Sequence, residues 1–293
     1  MADTVPELRQ EIARLEAHVA ALSAELAETN QGVLALYSEL DDNAHRLREA
    51  SDLKSRFLSY MSHEFRTPLS SILSIARILR DRLDGPLTAE QDKQVEFIQT
   101  AARELSEMVG DLLDLAKVEA GRVTISPAWF DMVDLFSALR GMFKPILQTH
   151  DVSLIFEEPR DIPRIYTDDK KLSQILRNFI SNALKFTPTG EVRVSATLVD
   201  GDRVTFSVAD TGIGIASEHV GALFNDFVQV DAPIQKRLRG TGLGLSLSRK
   251  LALLLGGDVA VQSTLGQGST FSVTIPLQLP VSEADSGAAV ANP

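Results

Sequence analysis

Apolar residues recur in alternating steps of four and three along the first 50 residues of the chain. The apolar positions of this seam are Leu8, Ile12, Leu15, Val19, Leu22, Leu26, Val33, Leu36, Leu40 and Leu47. A heptad pattern of this length is typical of a coiled coil, and a polar amide at a core position, here Asn43, sets the register. The sequence predicts a parallel coiled-coil homodimer over residues 1–50. A single amphipathic helix packed on another partner is the alternative.

A denser apolar pattern begins near residue 57 and suits a helical bundle better than a two-stranded coil. Its members are Phe57, Leu58, Met61, Phe65, Leu69, Ile72, Ile75, Ile78 and Leu79. The helix should break at Asp84-Gly85-Pro86, and Thr88 with Gln91 forms a capping box for a second helix that stops at Gly121. Two such hairpins, one from each subunit, would close a dimeric four-helix bundle over residues 51–122.

The pattern becomes mixed in residues 128–280, where helical and strand periods alternate. Helices are predicted over residues 131–149, 168–186 and 241–255, and strands over 152–157, 192–199, 204–208, 259–263 and 270–275. Asp200-Gly201 is a strong hairpin turn signal between the second and third of these strands. These elements predict an α/β sandwich domain. The small and polar residues 281–293 predict a disordered tail.

The charge balance disfavours two classes of partner. The chain has 29 basic and 40 acidic residues, so its net charge of −11 repels nucleic acid and anionic lipid. Cysteine is absent, which excludes disulfides and thiolate chemistry. No apolar run approaches the ~20 residues of a membrane helix. We therefore expect no membrane insertion, no nucleic-acid binding, and a soluble chain in the cytoplasm.

A histidine lies in the middle of the first predicted bundle helix. Extending the heptad count places His63 off the seam, so its imidazole should be exposed and nucleophilic near neutral pH. Thr67, four residues later, lies on the same face. Pro68 removes one backbone hydrogen bond and predicts a kink or soft point one turn beyond the histidine. A single exposed histidine on a helix is usually an ordinary surface residue, so a functional role can be inferred only from the surrounding sequence.

Three polar residues line up on the helix predicted over residues 168–186. Asn178, Asn182 and Lys185 are spaced by four and three, which aligns them on one face away from the apolar stripe. An amide oxygen can complete a Mg²⁺ shell shared with phosphate, and a lysine can neutralise phosphate charge. A solvated helix face is the alternative.

Two glycine-rich segments follow along the chain. One comes directly after the strand predicted over residues 204–208, and the other lies at the start of the helix predicted over residues 241–255. In Asp210-Thr211-Gly212-Ile213-Gly214 the carboxylate can accept an adenine amino group, and the glycines allow close backbone approach. The segment 239–245 opens a helix whose amides can receive phosphate oxygens. Neither segment fits the dinucleotide fingerprint or the P-loop pattern.

These segments together resemble the sensor histidine kinases of two-component systems. Residues 57–69 match the family's H-box almost letter for letter, from Met61-Ser62-His63-Glu64 to Arg66-Thr67-Pro68-Leu69. Residues 176–187, 210–214 and 239–245 are similar to its N, G1 and G2 boxes in the same order, and residues 266–271 to its last glycine box. The resemblance covers about residues 50–280.

The resemblance implies a role for each matched residue. His63 would be the phosphoacceptor, Glu64 the base that orients and deprotonates it, and Thr67 the residue that positions water for phosphatase activity. Asn182 would bind Mg²⁺, and Asp210 would read the adenine of ATP. The remaining residues implied at the nucleotide site are Asn178, Lys185, Phe186, Gly212, Gly214, Arg239, Gly240, Thr241, Gly242, Leu243 and Gly244. The implied fold of residues 128–280 is the ATP-binding sandwich of that family.

The resemblance also implies partners. We expect a homodimer that phosphorylates His63 with ATP, passes the phosphoryl group to an aspartate of a response-regulator receiver domain, and takes its input from an upstream sensor domain or a separate sensor protein. One segment departs from the family: Phe224-Asn225-Asp226-Phe227 has Asn-Asp where Glu-Pro is usual. Two alternatives stay open, an ATPase of the wider gyrase, Hsp90 and MutL superfamily and a non-catalytic dimeric scaffold.

Overall fold

The computed structural model describes residues 4–83, 85–147, 151–159, 162–228 and 242–279. The chain divides into two compact units, Met1–Phe57 and Leu58–Pro293. The predicted tail at 281–293 and the segment that holds Arg239, Gly240 and Thr241 lie outside the described residues.

The first helix, α1, extends over Thr4–Arg80. In the first unit the apolar seam is solvent-exposed on the single chain, from Leu15 and Val19 to Leu40 and Leu47. An apolar stripe of this kind gains little from a solitary helix, so its sequence pattern continues to favour a partner helix. The helix itself is confirmed, and the pairing of two copies stays a prediction.

The second unit begins within α1, and this helix continues through Pro68 without interruption. The second helix, α2, covers Ala89–Glu119. Its N-terminus has the predicted capping box: the Gln91 amide donates to the Thr88 hydroxyl at 3.3 Å, and the Thr88 amide donates to Gln91 Oε1 at 2.8 Å. Residues buried on the two helices are Leu69, Ala76, Val95, Gln99, Ala102, Leu113, Leu115 and Ala116.

The rest of the unit is an α/β sandwich. Its elements are β1 (Ala128–Phe130), α3 (Met132–Leu147), β2 (Val152–Phe156), β3 (Ile165–Thr167), α4 (Asp169–Phe186), β4 (Gly190–Val199), β5 (Arg203–Asp210), α5 (Ser217–Val220), α6 (Gly244–Leu254), β6 (Asp258–Thr264) and β7 (Gly268–Pro276). The five-stranded sheet has the order β2-β4-β5-β7-β6, with β2 and β4 parallel and the other pairs antiparallel. The predicted fold class is confirmed.

Helix α4 packs on the sheet because its apolar residues follow the helical period. Leu172, Ile175, Leu176, Phe179 and Ile180 are fully buried. They meet the inward side chains of the central strands in one continuous core. The opposite face of α4 carries the polar residues that the sequence predicted there. Because the apolar face is buried in the core, these polar side chains point away from the core.

The boundaries differ from the predictions in small, explicable ways. Asp168 is the N-cap of α4 rather than its first residue, because its carboxylate accepts from the amides of Lys170 and Lys171 at 3.1 Å. Asp200 and Gly201 both have positive φ, as the hairpin turn requires. The short elements β1, β3 and α5 were not predicted, because three or four residues carry too little periodicity.

Candidate nucleotide site and phosphoacceptor helix

Asp210 closes strand β5 with its carboxylate buried. Its Oδ1 accepts hydrogen bonds from the Gly212 amide at 2.9 Å and from the Ser269 amide at 3.2 Å. Burial raises the pKa of Asp210, and the hydrogen bonds from Gly212 and Ser269 act in the opposite direction. Both of these bonds end on Oδ1. A carboxylate has further acceptor capacity, for which an exocyclic amino group is a suitable donor.

Gly212 lies where the end of α4 meets the loop after β5. A Cβ at this position would collide with the carbonyl oxygen of Phe186, and it would lie 2.8 Å from the Thr187 hydroxyl. The Ile213 amide donates to the same Phe186 carbonyl at 3.1 Å. Phe186, Asp210, Gly212 and the loop containing Gly214 are therefore brought together, as the sequence predicted for one site.

Asn178 connects α4 to the start of α6. Its Nδ2 donates to Ser248 Oγ at 2.8 Å, and Ser248 Oγ donates to the Gly244 carbonyl at 2.9 Å. A Cβ on Gly244 would collide with Asn178 Oδ1. The glycine thus allows the predicted α4 face and the predicted glycine loop to touch. Of the neighbouring loop residues, Gly242 has positive φ and Leu243 is buried directly before α6.

Asn182 and Lys185 occupy the same face of α4 and are half-buried. Burial lowers the pKa of Lys185, whereas the charges of Glu104 and Glu107 on α2 act to raise it. The described residues contain no group of three or more His, Asp or Glu side chains that could hold a metal ion.

His63, Glu64 and Thr67 are exposed on α1, in agreement with the predicted direction of the imidazole. The Thr67 hydroxyl donates to the His63 carbonyl at 3.2 Å. These three residues belong to the helical hairpin, whereas the nucleotide-site residues belong to the sandwich.

Sequence reasoning missed three polar residues at the site. Ser269 bonds Asp210, Ser248 bonds Asn178, and the Thr187 hydroxyl is buried without a hydrogen-bond partner among the described residues. Thr187 directly follows Phe186 and could have been included on that ground. Ser269 lies within the glycine box of residues 266–271, but its backbone amide was not named as part of the site. Ser248 carries no local signal, because it acts on a residue 70 positions away.

Two family models match this chain, one over the helical hairpin and one over the α/β sandwich. The His Kinase A (phospho-acceptor) domain matches residues 53–121, and the Histidine kinase-, DNA gyrase B-, and HSP90-like ATPase matches residues 167–279. The chain belongs to the sensor histidine kinases. The resemblance noted in the sequence is confirmed, and the ATPase match supports ATP binding by this histidine kinase chain.

Individual relatives agree with this assignment. The autoinducer 2 sensor kinase/phosphatase LuxQ of Vibrio parahaemolyticus is 37% identical over 236 residues, which are 78% of this histidine kinase chain and 27% of LuxQ. The aerobic respiration control sensor protein ArcB of Escherichia coli is 40% identical over 233 residues, 78% of this chain and 29% of ArcB. The chain thus spans less than a third of the length of these relatives.

A solved structure gives the same result. Full-length ShkA in complex with AMPPNP is 36% identical, with a TM-score of 0.64 over 78% of the histidine kinase chain and 47% of ShkA. Within the residues that the structure describes, no helix combines the length and the apolar character needed to cross a membrane.

Proposed function

We propose that this chain is the catalytic core of a sensor histidine kinase, which phosphorylates His63 with Mg·ATP and transfers the phosphoryl group to a response-regulator aspartate. One observation carries the proposal: an exposed histidine in a phosphoacceptor hairpin occurs on the same chain as a buried carboxylate in an ATPase-type sandwich. The hairpin distinguishes this function from that of a plain ATPase of the wider superfamily.

The nucleotide binds at the sandwich in this proposal. Asp210 accepts the adenine amino group through Oδ2, while Gly212 and Gly214 allow the base to approach the backbone. Asn178 and Lys185 face the phosphates, Phe186 borders the base, and Gly242, Leu243 and Gly244 present backbone to the phosphates at the start of α6. Arg239, Gly240 and Thr241, which lie outside the described residues, are assigned to the same site on the family resemblance.

The amide oxygen of Asn182 is the protein ligand that we assign to Mg²⁺. An amide oxygen suits a hard cation, and a single protein ligand suits an ion that is otherwise held by phosphate oxygens and water. The ion, when bound, neutralises charge on the phosphates. Lys185 adds a positive charge on the same helix face.

The chemical step takes place at His63. A ring nitrogen forms a bond to the γ-phosphorus, the bond from that phosphorus to the bridging oxygen breaks, and ADP leaves with the electron pair. Glu64 takes up the imidazole proton. The receiver aspartate then attacks the same phosphorus and the P–N bond breaks, which returns His63. Thr67 positions water for dephosphorylation, an activity that the name of the relative LuxQ, a sensor kinase/phosphatase, gives for that protein.

The remaining assignments follow from the same proposal. Two hairpins form the bundle of a homodimer, the coiled coil of residues 1–50 conducts a signal from an upstream sensor domain or a separate sensor protein, and residues 51–122 and 128–280 act as phosphotransfer and catalytic domains. A cytoplasmic location would give the catalytic domain access to ATP.

Incubation with γ-labelled ATP tests the central step. We expect an acid-labile label on the wild-type chain and on His45→Gln, a matched exposed histidine on the same helix, and none on His63→Gln. Label that survives His63→Gln would disprove the assignment of the phosphoacceptor. A wild-type chain without label would favour the scaffold alternative.

Calorimetry tests the metal ligand separately. Asn182→Ala should abolish measurable Mg·ATP binding, whereas Ser181→Ala, the exposed neighbouring residue, should bind normally. Equal affinities for the two variants would refute the role of Asn182.

A further inference from the structure

Ser263 lies in the same row of the sheet as the carboxylate assigned to adenine, two strands away. Asp210 on β5 is paired with Ser269 on β7, and Ser269 is paired with Ser263 on β6. Residues paired across neighbouring strands have their side chains on the same face of the sheet. Asp210 and Ser269 are buried, and Ser263 is half-buried. The three polar side chains therefore form one row across β5, β7 and β6.

The hydroxyl of Ser263 uses its full hydrogen-bonding capacity. It donates to the Gly268 carbonyl at 3.0 Å and accepts from the Ile215 amide at 2.8 Å. The hydroxyl oxygens of Ser263 and Ser269 are 2.9 Å apart. Because Ser263 gives its only hydroxyl proton to the Gly268 carbonyl, Ser269 is the donor in this third bond. One hydroxyl thus connects β7 to the loop of residues 212–215, which we call the adenine loop.

The adenine loop is fixed against the turn between β6 and β7. The Gly266 amide donates to the Ile213 carbonyl at 2.8 Å. A Cβ on Gly214 would collide with the Thr264 carbonyl, so the backbones of the loop and the turn lie in direct contact. The hydrogen bond to Ser263 holds the far end of the loop. Of these three contacts, only the bond to Ser263 is made by a side chain, and it is therefore the one that a substitution can remove.

Ser263 also acts on Asp210 through Ser269. The Ser269 amide donates to Asp210 Oδ1 at 3.2 Å, while the Ser269 hydroxyl is bonded to Ser263. A Cβ on Gly268 would collide with the Asp210 carbonyl, so β7 approaches β5 closely at this point. The Gly212 amide, at the start of the adenine loop, donates to the same Oδ1 at 2.9 Å. Both of these donors to Asp210 therefore belong to segments that the Ser263 hydroxyl holds in place.

We propose that Ser263 is a positioning residue for adenine recognition: its hydroxyl fixes the adenine loop and Ser269, and these two in turn orient the Asp210 carboxylate. The proposal rests on the proposed function, which assigns Asp210 to the adenine amino group. Ser263 lies outside every family box and acts on a loop amide 48 positions away. Its contribution is preorganisation, because an acceptor that is already oriented needs less ordering when the ligand binds.

The relative affinity for two nucleotides tests this role. ADP and purine riboside diphosphate differ only in the exocyclic amino group, and neither carries a γ-phosphate. We expect the wild-type chain to bind Mg·ADP about tenfold more tightly than the Mg complex of the purine analogue, and Ser263→Ala to keep less than about a third of that preference. Ser263→Thr retains the hydroxyl and should restore the preference. A purely structural role would weaken the binding of both ligands equally.

Thr205→Ala is the matched control for the loss of a hydroxyl pair between strands. Thr205 Oγ1 lies 2.8 Å from Thr274 Oγ1, which joins β5 to β7. Thr205 and Asp210 are separated by an odd number of positions on β5, so their side chains lie on opposite faces of the sheet. This variant should lower the urea midpoint and leave the preference for ADP unchanged. Ser269→Ala is a milder second variant, which keeps the amide bonded to Asp210 and should reduce the preference.

Calorimetry with both ligands separates the possible failures. An unchanged preference for ADP in Ser263→Ala and Ser269→Ala, or an equal reduction in Thr205→Ala, would overturn the role of Ser263 and leave the adenine contact of Asp210 intact. A wild-type chain without the preference, or an Asp210→Ala variant that retains it, would overturn the assignment of Asp210 to adenine and the role of Ser263 with it.

Discussion

The backbone amide of Ser269 lies 3.2 Å from Oδ1 of Asp210, so strand β7 holds a carboxylate that belongs to strand β5. The contact follows from the register of the sheet, in which Asp210 is paired directly with Ser269. A second amide, from Gly212, fixes the same oxygen. The carboxylate is thereby oriented before any base arrives, and little ordering remains to be done on binding.

We expect Asp210→Asn to separate stability from binding. The amide oxygen can still accept from Gly212 and Ser269, and the buried negative charge is removed, so the urea midpoint at neutral pH should not fall. Nucleotide affinity by calorimetry should fall at least tenfold, about 1.4 kcal/mol, because the charged acceptor for the amino group is lost. A large drop in the midpoint with normal affinity would contradict the role of Asp210.

The difference in stability between wild type and the same variant should depend on pH, in a direction set by the pKa of Asp210. Burial raises the folded-state pKa of Asp210 above its unfolded value, so the folded chain holds this proton to a higher pH. Below the unfolded pKa the residue is protonated in both states and has no such effect. As the pH rises through the folded pKa, wild type should lose stability relative to Asp210→Asn, and the difference should then remain constant. Urea midpoints from acid to neutral pH measure it.

Gly244→Ala should damage the junction of α4 and α6. The added Cβ would collide with Asn178 Oδ1 and displace the amide from Ser248, at a cost of about 1–3 kcal/mol, with weakened nucleotide binding. Gly141→Ala in α3 is the matched control, because its Cβ would meet nothing within 4 Å. That control should gain about 0.5–1 kcal/mol from helix propensity. Denaturant unfolding and calorimetry compare the two, and equal effects would exclude the steric explanation.

Thr67→Ala should spare autophosphorylation and reduce removal of phosphate from the regulator by at least tenfold, because it removes a group that positions water. The Thr67 hydroxyl bonds only a carbonyl of its own helix among the described contacts, so helix α1 should persist. Ser71→Ala is the control, since its hydroxyl donates in the same way to the Thr67 carbonyl. Initial rates with labelled His63 and labelled regulator measure both activities. Parallel loss of the two would contradict the role of Thr67.

Thr88→Ala should lower the stability of the helical hairpin by about 1 kcal/mol, because it leaves the Gln91 amide at the start of α2 without its cap. Thr100→Ala, within the same helix, should not be destabilising: its hydroxyl only donates to the Glu96 carbonyl, and alanine has the higher helix propensity. Thermal unfolding followed by circular dichroism compares them. A greater loss for Thr100→Ala would show that the cap is not important.

Features decided by neighbouring residues were predictable. The capping box of Thr88 and Gln91, the turn at Asp200-Gly201 and the apolar stripe of α4 depend on spacings of a few residues, and the sequence displays those spacings directly. The exposure of His63 followed from the heptad count for the same reason. The boxes shared with the histidine kinase family identified the candidate site residues in the same way, because each box is a short continuous stretch of sequence.

The helices, the main strands and the chemical groups of the two functional regions could be predicted from local patterns, because hydrophobic period, caps and short motifs are properties of neighbouring residues. Three contacts arise only from the packing of the folded chain: Ser269 orients Asp210, Gly244 makes room for Asn178, and Lys250 bridges Glu119 and Asp226. Glu119 and Lys250 are separated by 131 positions. Contacts at such separations depend on the packing of whole elements against each other, which no local pattern encodes.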